Sequence, residues 1–267
     1  MTSLRNVTRT SACVVLATVV WTADAAAQTD EEFEKTDPFI GFWDTEIAVP
    51  DGQDRGNCAG RTGDYGEKLL NCSLPVDQLP LNARGEAWLK YVDHRQSPVT
   101  TECSQLGMPA LFTDGVYLSG SPGRLDLLHP TNPWYVARTV WMNGAGPTPL
   151  PGQLFQHGLS RGRFDGNDLV IETTHFTFDP DGIDDHLHMA SSVRKKVTER
   201  YRLIDGATLR LIITLEDPTF LTRPFTYALL MTKKSGGFPP AYRACDPEVA
   251  RREVEFAYPG DKYPDGK

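Results

Sequence analysis

Beyond residue 27 the sequence has no apolar run long enough to cross a bilayer, no pair of cysteines in Cys-x-x-Cys spacing, and no glycine pattern of the phosphate-loop or dinucleotide type. These absences exclude a spanning helix in that part of the chain, a clustered-thiolate metal centre and the common nucleotide sites. Positive charge is also short: Lys and Arg number 27 against 35 Asp and Glu, for a net charge of −8 and a pI near 5.3. An acidic surface repels polyanions, so nucleic acid and anionic membrane are poor partners. Long helices are disfavoured too, because 23 glycines and 20 prolines interrupt the chain at short intervals.

What is present suits one large β domain. The 267 residues, 40% of them hydrophobic, can bury a sizeable core. The first 27 residues read as a signal peptide. Arg5 and Arg9 supply a positive start, Ala12 to Trp21 form a short apolar run, and Ala25 and Ala27 are small residues ahead of a cut before Gln28. The expectation is an exported protein, periplasmic or secreted. Cys13 would leave with that segment, so Cys58, Cys72, Cys103 and Cys245 remain, an even set for an oxidising compartment. Three pairings are possible; the favoured one joins Cys58 to Cys72 and Cys103 to Cys245.

Residues 28–107 read as an irregular lobe holding a first strand, Asp37 to Val49, and one short helix, Leu81 to Asp93, capped by Asn82. Residues 50–80 read as loop. From residue 108 onward the chain reads as strands: 110–112, 115–118, 124–128, 135–142, 156–164, 169–177, 193–204, 208–216 and 225–232. Closely spaced strands without intervening helices predict a mainly β fold, an antiparallel lipocalin-like barrel or strongly bent meander, with residues 37–49 part of the same domain. Alternation assigns the inner face. Leu209, Leu211, Ile213 and Leu215 share one side, and Val197, Tyr201 and Leu203 do the same with Glu199 among them.

The segment Gln156 to Phe176 reads as a hairpin turning at Gly166-Asn167, with the positive φ of a type I′ turn at both residues. That turn pairs Phe164 with Leu169, Arg161 with Glu172 and Ser160 with Thr173. Ser160, Thr173 and His175 then face inward, and His157 faces solvent with Arg161 and Arg163. An inward imidazole can exchange a proton near neutral pH. The candidate site is therefore His175 as acid/base, Glu199 orienting it, and Ser160, Thr173, Tyr201 and Arg138 contacting a ligand. The alternative for Glu199 is a buried ion pair with Arg138.

His186 and His188 stand two apart, a spacing that suits a metal grip if His175, Asp184 or Asp185 gives a third ligand. The segment reads as a loop, however, and no metal is assigned. Gly158 to Gly162 matches the G-x-S-x-G nucleophile pattern, but it falls inside a strand rather than at a strand-to-helix turn.

Gly41 and Trp43 resemble the Gly-x-Trp at the start of lipocalin-like barrels, where the tryptophan closes one end. A longer resemblance covers most of the chain after residue 27, to a broad family of exported bacterial proteins of uncharacterised function. It rests on Cys103, Gly107, Met108 and Pro109; on Gly158, Ser160, Gly162, Arg163, Gly166, Leu169, Val170 and Thr173; and on Ser192, the run Val197 to Tyr201, Asp217, Pro218 and Cys245. The resemblance implies a barrel, export and the Cys103–Cys245 pairing, and supplies no activity. Leu159, Ser191 and Lys196 stand where that family carries histidine, and His175 stands where it carries glycine. Two functions follow as expectations. One is a cofactor-independent enzyme of the isomerase, lyase or cyclase type, moving protons on a small hydrophobic molecule in the barrel. The other is a non-catalytic carrier of such a molecule.

Overall fold

The alternating run Thr208 to Glu216 buries Leu209, Leu211, Ile213 and Leu215 completely and leaves the residues between them half-exposed. That pattern repeats around the molecule. In the computed structural model, which describes residues 34–45, 61–62, 68–69, 79–93, 97–131, 135–184, 188–235 and 245–257, the strands are β1 (Gly41–Thr45), β2 (Arg61–Thr62), β3 (Lys68–Leu69), β4 (Val116–Ser121), β5 (Arg124–His129), β6 (Val136–Met142), β7 (Leu159–Asp165), β8 (Asp168–Thr174), β9 (Asp179–Asp184), β10 (Met189–Ser191), β11 (Lys196–Leu203), β12 (Thr208–Glu216) and β13 (Phe225–Lys234).

Nine of these close a barrel in the order β1-β4-β5-β6-β7-β8-β11-β12-β13, with β13 returning to β1. Closure leaves neither β1 nor β13 as a free edge. The short strands β3 and β2 extend the sheet from β13, and β9 and β10 form a separate hairpin. Within the nine-stranded barrel the ladder is antiparallel except at β6–β7, which pair in parallel through Val140 and Ser160; β3 also joins β13 in parallel. The barrel is the expected one, and the β6–β7 pair departs from an all-antiparallel meander. Residues 143–158 carry the chain back along β6, so β7 enters in the same direction beside the second half of β6.

The β7–β8 hairpin takes the predicted register, with Arg161 opposite Glu172 and Ser160 opposite Thr173. Its turn is not type I′, since Gly166 has φ 63° and Asn167 does not take positive φ. The expected strand at 110–112 is instead a 3-10 turn, Ala110–Asp114. Leu111 and Phe112 are both fully buried, whereas a strand would turn one of them outward. Trp43 is also wholly buried; its indole N–H donates to the Phe39 carbonyl at 2.7 Å.

Outside the barrel lie the helices α1 (Ala83–Tyr91), α2 (Pro98–Thr101) and α3 (Pro247–Ala257). The Asn82 carboxamide accepts from Arg84 N and Gly85 N, as expected of a cap. Cys103 and Cys245 are disulfide-bonded and tie α2 to α3. Cys58, Cys72 and the N-terminal segment lie outside the described residues. No helix among the described residues is long and apolar enough to cross a membrane.

Inside the barrel, the Arg138 guanidinium on β6 grips the Glu199 carboxylate on β11 through two hydrogen bonds, 2.9 and 2.8 Å. Tyr201 donates a third to Glu199 at 2.7 Å. Breaking a buried pair from one side leaves an uncompensated charge, which costs about 3–5 kcal/mol, whereas replacing the whole group by apolar residues does not. Arg138→Met alone should lower the urea midpoint by a corresponding amount. The triple change Arg138→Met, Glu199→Leu, Tyr201→Phe should recover most of it in equilibrium unfolding.

Candidate functional site

The structure brings five of the six sequence-selected site residues into one buried network. Arg138, Glu199 and Tyr201 form its centre. Ser160 Oγ bonds Thr173 Oγ1 at 2.9 Å and lies 3.5 Å from the Arg138 guanidinium. The network also contains His129, which sequence reasoning missed. Arg138 Nε donates to His129 Nε2 at 3.3 Å, so the other ring nitrogen must donate to the Gly115 carbonyl at 3.2 Å. Burial and then the Arg138 charge hold His129 well below its usual range, so it is neutral. These groups satisfy one another. Their geometry is that of a closed internal brace rather than of groups waiting for a ligand.

His175 is the sixth residue, and it does not join them. β8 ends at Thr174, and His175 takes the left-handed region, φ 61°. That kink breaks the alternation, so Phe176 turns inward and is fully buried in the place His175 was expected to occupy. The half-exposed imidazole bonds Thr174 Oγ1 at 2.8 Å, and Glu199 accepts its hydrogen bonds from Arg138 and Tyr201. No His175–Glu199 dyad forms. Glycine adopts this backbone without strain, whereas a histidine there is strained.

His157 is also placed differently from expectation. It is half-buried rather than solvent-facing, and its Nε2 meets Gln105 Oε1 at 2.8 Å. The Gln105 amide donates to the Tyr135 carbonyl, which fixes Oε1 as the acceptor and His157 Nε2 as the donor. Nδ1 therefore keeps its lone pair, buried and without a partner. Burial first, then the charges of Arg138 and Lys195, push His157 down to about 4. Lys195 is a second group the sequence reading missed. It is buried, its ammonium donates to the Met108 and Gly182 carbonyls and lies 4.4 Å from the Phe176 ring centre, and burial brings it down to about 8.

A cavity lined by described residues lies outside the barrel, between α1 and the β9–β10 hairpin, and holds about 600 Å³. Trp88 and Tyr91 on α1 line one side; Ser97, Asp181 and His188 line another. The helix seats closely because residue 85 is glycine: a Cβ there would stand 2.6 Å from the Phe220 carbonyl oxygen. Trp88 is braced edge-on by Phe178 and Phe220, and its indole N–H donates to the His188 carbonyl at 2.7 Å.

Asp181, almost wholly buried, is hydrogen-bonded on both oxygens: Oδ1 to His188 Nδ1 at 2.8 Å and Oδ2 to Ser97 Oγ at 2.7 Å. His188 takes φ 52°, an uncommon conformation for a non-glycine residue. A carboxylate on Nδ1 fixes the tautomer and makes Nε2 the basic nitrogen. In the H-x-H segment, to which the sequence reading assigned no metal, His188 pairs with an aspartate seven residues earlier, across the hairpin. His186 and Asp185 lie outside the described residues. Among those described, no group of three or more His, Cys, Asp or Glu is placed to hold a metal ion.

No known protein family, curated protein or solved structure matches this chain.

Two outcomes follow from the histidines. Unfolded His157 titrates near 6.5 and folded His157 near 4, so between those values the unfolded chain binds the extra proton. Stability is full above 6.5 and is lost as the pH falls toward 4. His157→Gln should flatten that part of a urea-midpoint profile taken against pH. His175→Gly, which relieves the left-handed backbone, should raise stability by about 1 kcal/mol in the same assay.

Proposed function

We propose that this protein is an exported acid–base enzyme that binds a small, flat, apolar molecule in the cleft beside α1 and moves a proton on it through His188. One observation carries the reading: a buried aspartate holds a histidine by Nδ1 on the wall of a cavity of about 600 Å³. That volume is the size of a small-molecule site, and the aromatic side chains of Trp88 and Tyr91 suit a flat apolar body. A carboxylate-oriented imidazole is the usual general acid or base at neutral pH. The Ser97 hydroxyl donates to Asp181 rather than to the imidazole, so the arrangement favours proton transfer over serine acyl transfer. Isomerisation, elimination, hydration and cyclisation fit this chemistry. Export is supported by the leader-like first 27 residues and by the Cys103–Cys245 disulfide.

A carrier that binds in the same cleft without chemistry is the second reading, and the aromatic lining favours it equally. The ring opening of 5-nitrobenzisoxazole separates the two, because this flat aromatic opens on a single proton abstraction. Wild-type protein should accelerate it over protein-free buffer, and His188→Asn should lose about 10²-fold of that rate. Asparagine tolerates the left-handed φ at this position. Binding of the fluorescent probe N-phenyl-1-naphthylamine should stay within a few-fold in both. Probe binding without acceleration would establish the carrier. Absence of both would remove the cleft as the site.

A further inference from the structure

We infer that the molecule held in this cleft carries a carboxylate and that Arg84 receives it. The inference rests on the cleft being the binding site proposed above, and it names the class of ligand. α1 sets Arg84, Trp88 and Tyr91 at i, i+4 and i+7, on one face of the helix, and all three line the cavity. The face is held in place by the Asn82 cap, whose amide donates to Thr219 O, and by the close seat of Gly85. Arg84 is exposed, and its guanidinium makes no hydrogen bond or ion pair with any described residue.

The cleft's carboxylates do not answer that charge. Asp181 has both oxygens engaged by His188 and Ser97. Asp93 also lines the cavity and has a partner, which is not Arg84. Arg84 sits in the first turn of α1, where the helix dipole adds partial positive charge. A guanidinium offers a planar fork that matches a carboxylate through two parallel hydrogen bonds. Beyond it the same helix face presents Ala87, Trp88 and Tyr91, a strip for an apolar plane. The recognised shape is therefore a small planar acid, with its anionic end on Arg84 and its body along Trp88, within the cavity that His188 also lines.

The test compares 2-naphthoate with 2-naphthamide, which share a shape and differ in charge, by calorimetric titration of the full-length protein at low ionic strength. The naphthoate should bind about tenfold more tightly. Arg84→Gln, an exposed change with no packing cost, should erase that difference and leave naphthamide affinity within twofold. Arg84→Lys should restore part of it. Equal affinities for the two ligands in the wild type, or a preference that survives Arg84→Gln, would overturn the carboxylate inference while the cleft itself stands. Failure of both ligands to bind would remove the cleft reading and this inference with it.

Discussion

The bidentate contact between Arg138 and Glu199 is the constraint around which the barrel interior is arranged. Both side chains are almost completely buried, and neither charge could remain inside without the other. Each remaining hydrogen-bonding atom then needs a partner as well. Tyr201 completes the carboxylate and His129 takes the guanidinium Nε, while Ser160 and Thr173 bond each other beside it. Four strands, β5, β6, β7 and β11, and the end of the β8 ladder thus meet through polar atoms in an otherwise apolar core. Phe112 from the 3-10 turn lies against the same arginine, 5.5 Å from ring centre to guanidinium.

That arrangement uses the interior polar groups to hold the barrel together. The interior polar groups serve the barrel, and the Asp181–His188 pair stands on a hairpin that the barrel does not contain. The cleft exists because α1 packs over the 217–222 turn and β9–β10 folds beside it. Lys195 links these parts: it follows β10, and its ammonium ties Met108, at the entrance to the 3-10 turn, to Gly182 in β9. Asp217 supports the same corner by accepting from the amide and hydroxyl of Ser192. The residues that hold the cleft therefore lie next to those that hold the barrel, but do not coincide with them.

Much of the interior was legible from the pattern of residues. Period-two alternation placed Glu199 between Val197 and Tyr201 on the inner face, and the Gly166-Asn167 turn set the register that buries Ser160 and Thr173. A charge on an inner face demands a counter-charge, and the alternative reading of Glu199, an ion pair with Arg138, is the one the structure forms. His175 shows where such reasoning stops. Alternation assumes that the strand continues, and a single residue at φ 61° ends it and sends the next side chain inward instead. The Asp181–His188 contact was illegible for a different reason. It joins β9 to the residue just before β10 in a short, irregular hairpin whose register shifts between Met189 and Ser191, and no periodicity foretells a shifted register.

The sequence by itself determined the β class, the inward position of Glu199 and its need for a partner, and the helix beginning at its Asn82 cap. These follow from local rules, namely the two-residue period of a strand, the four unsatisfied amides of a helix start, and the cost of an unpaired buried charge. Tertiary structure alone decided the parallel entry of β7, the neutral state of His129 and His157, and the cleft where Arg84, Trp88 and His188 meet. Each of these depends on which distant segments pack together. Residues 84 and 188 come within one cavity only after the barrel has brought the 217–222 turn beneath α1, and no local pattern records that distance.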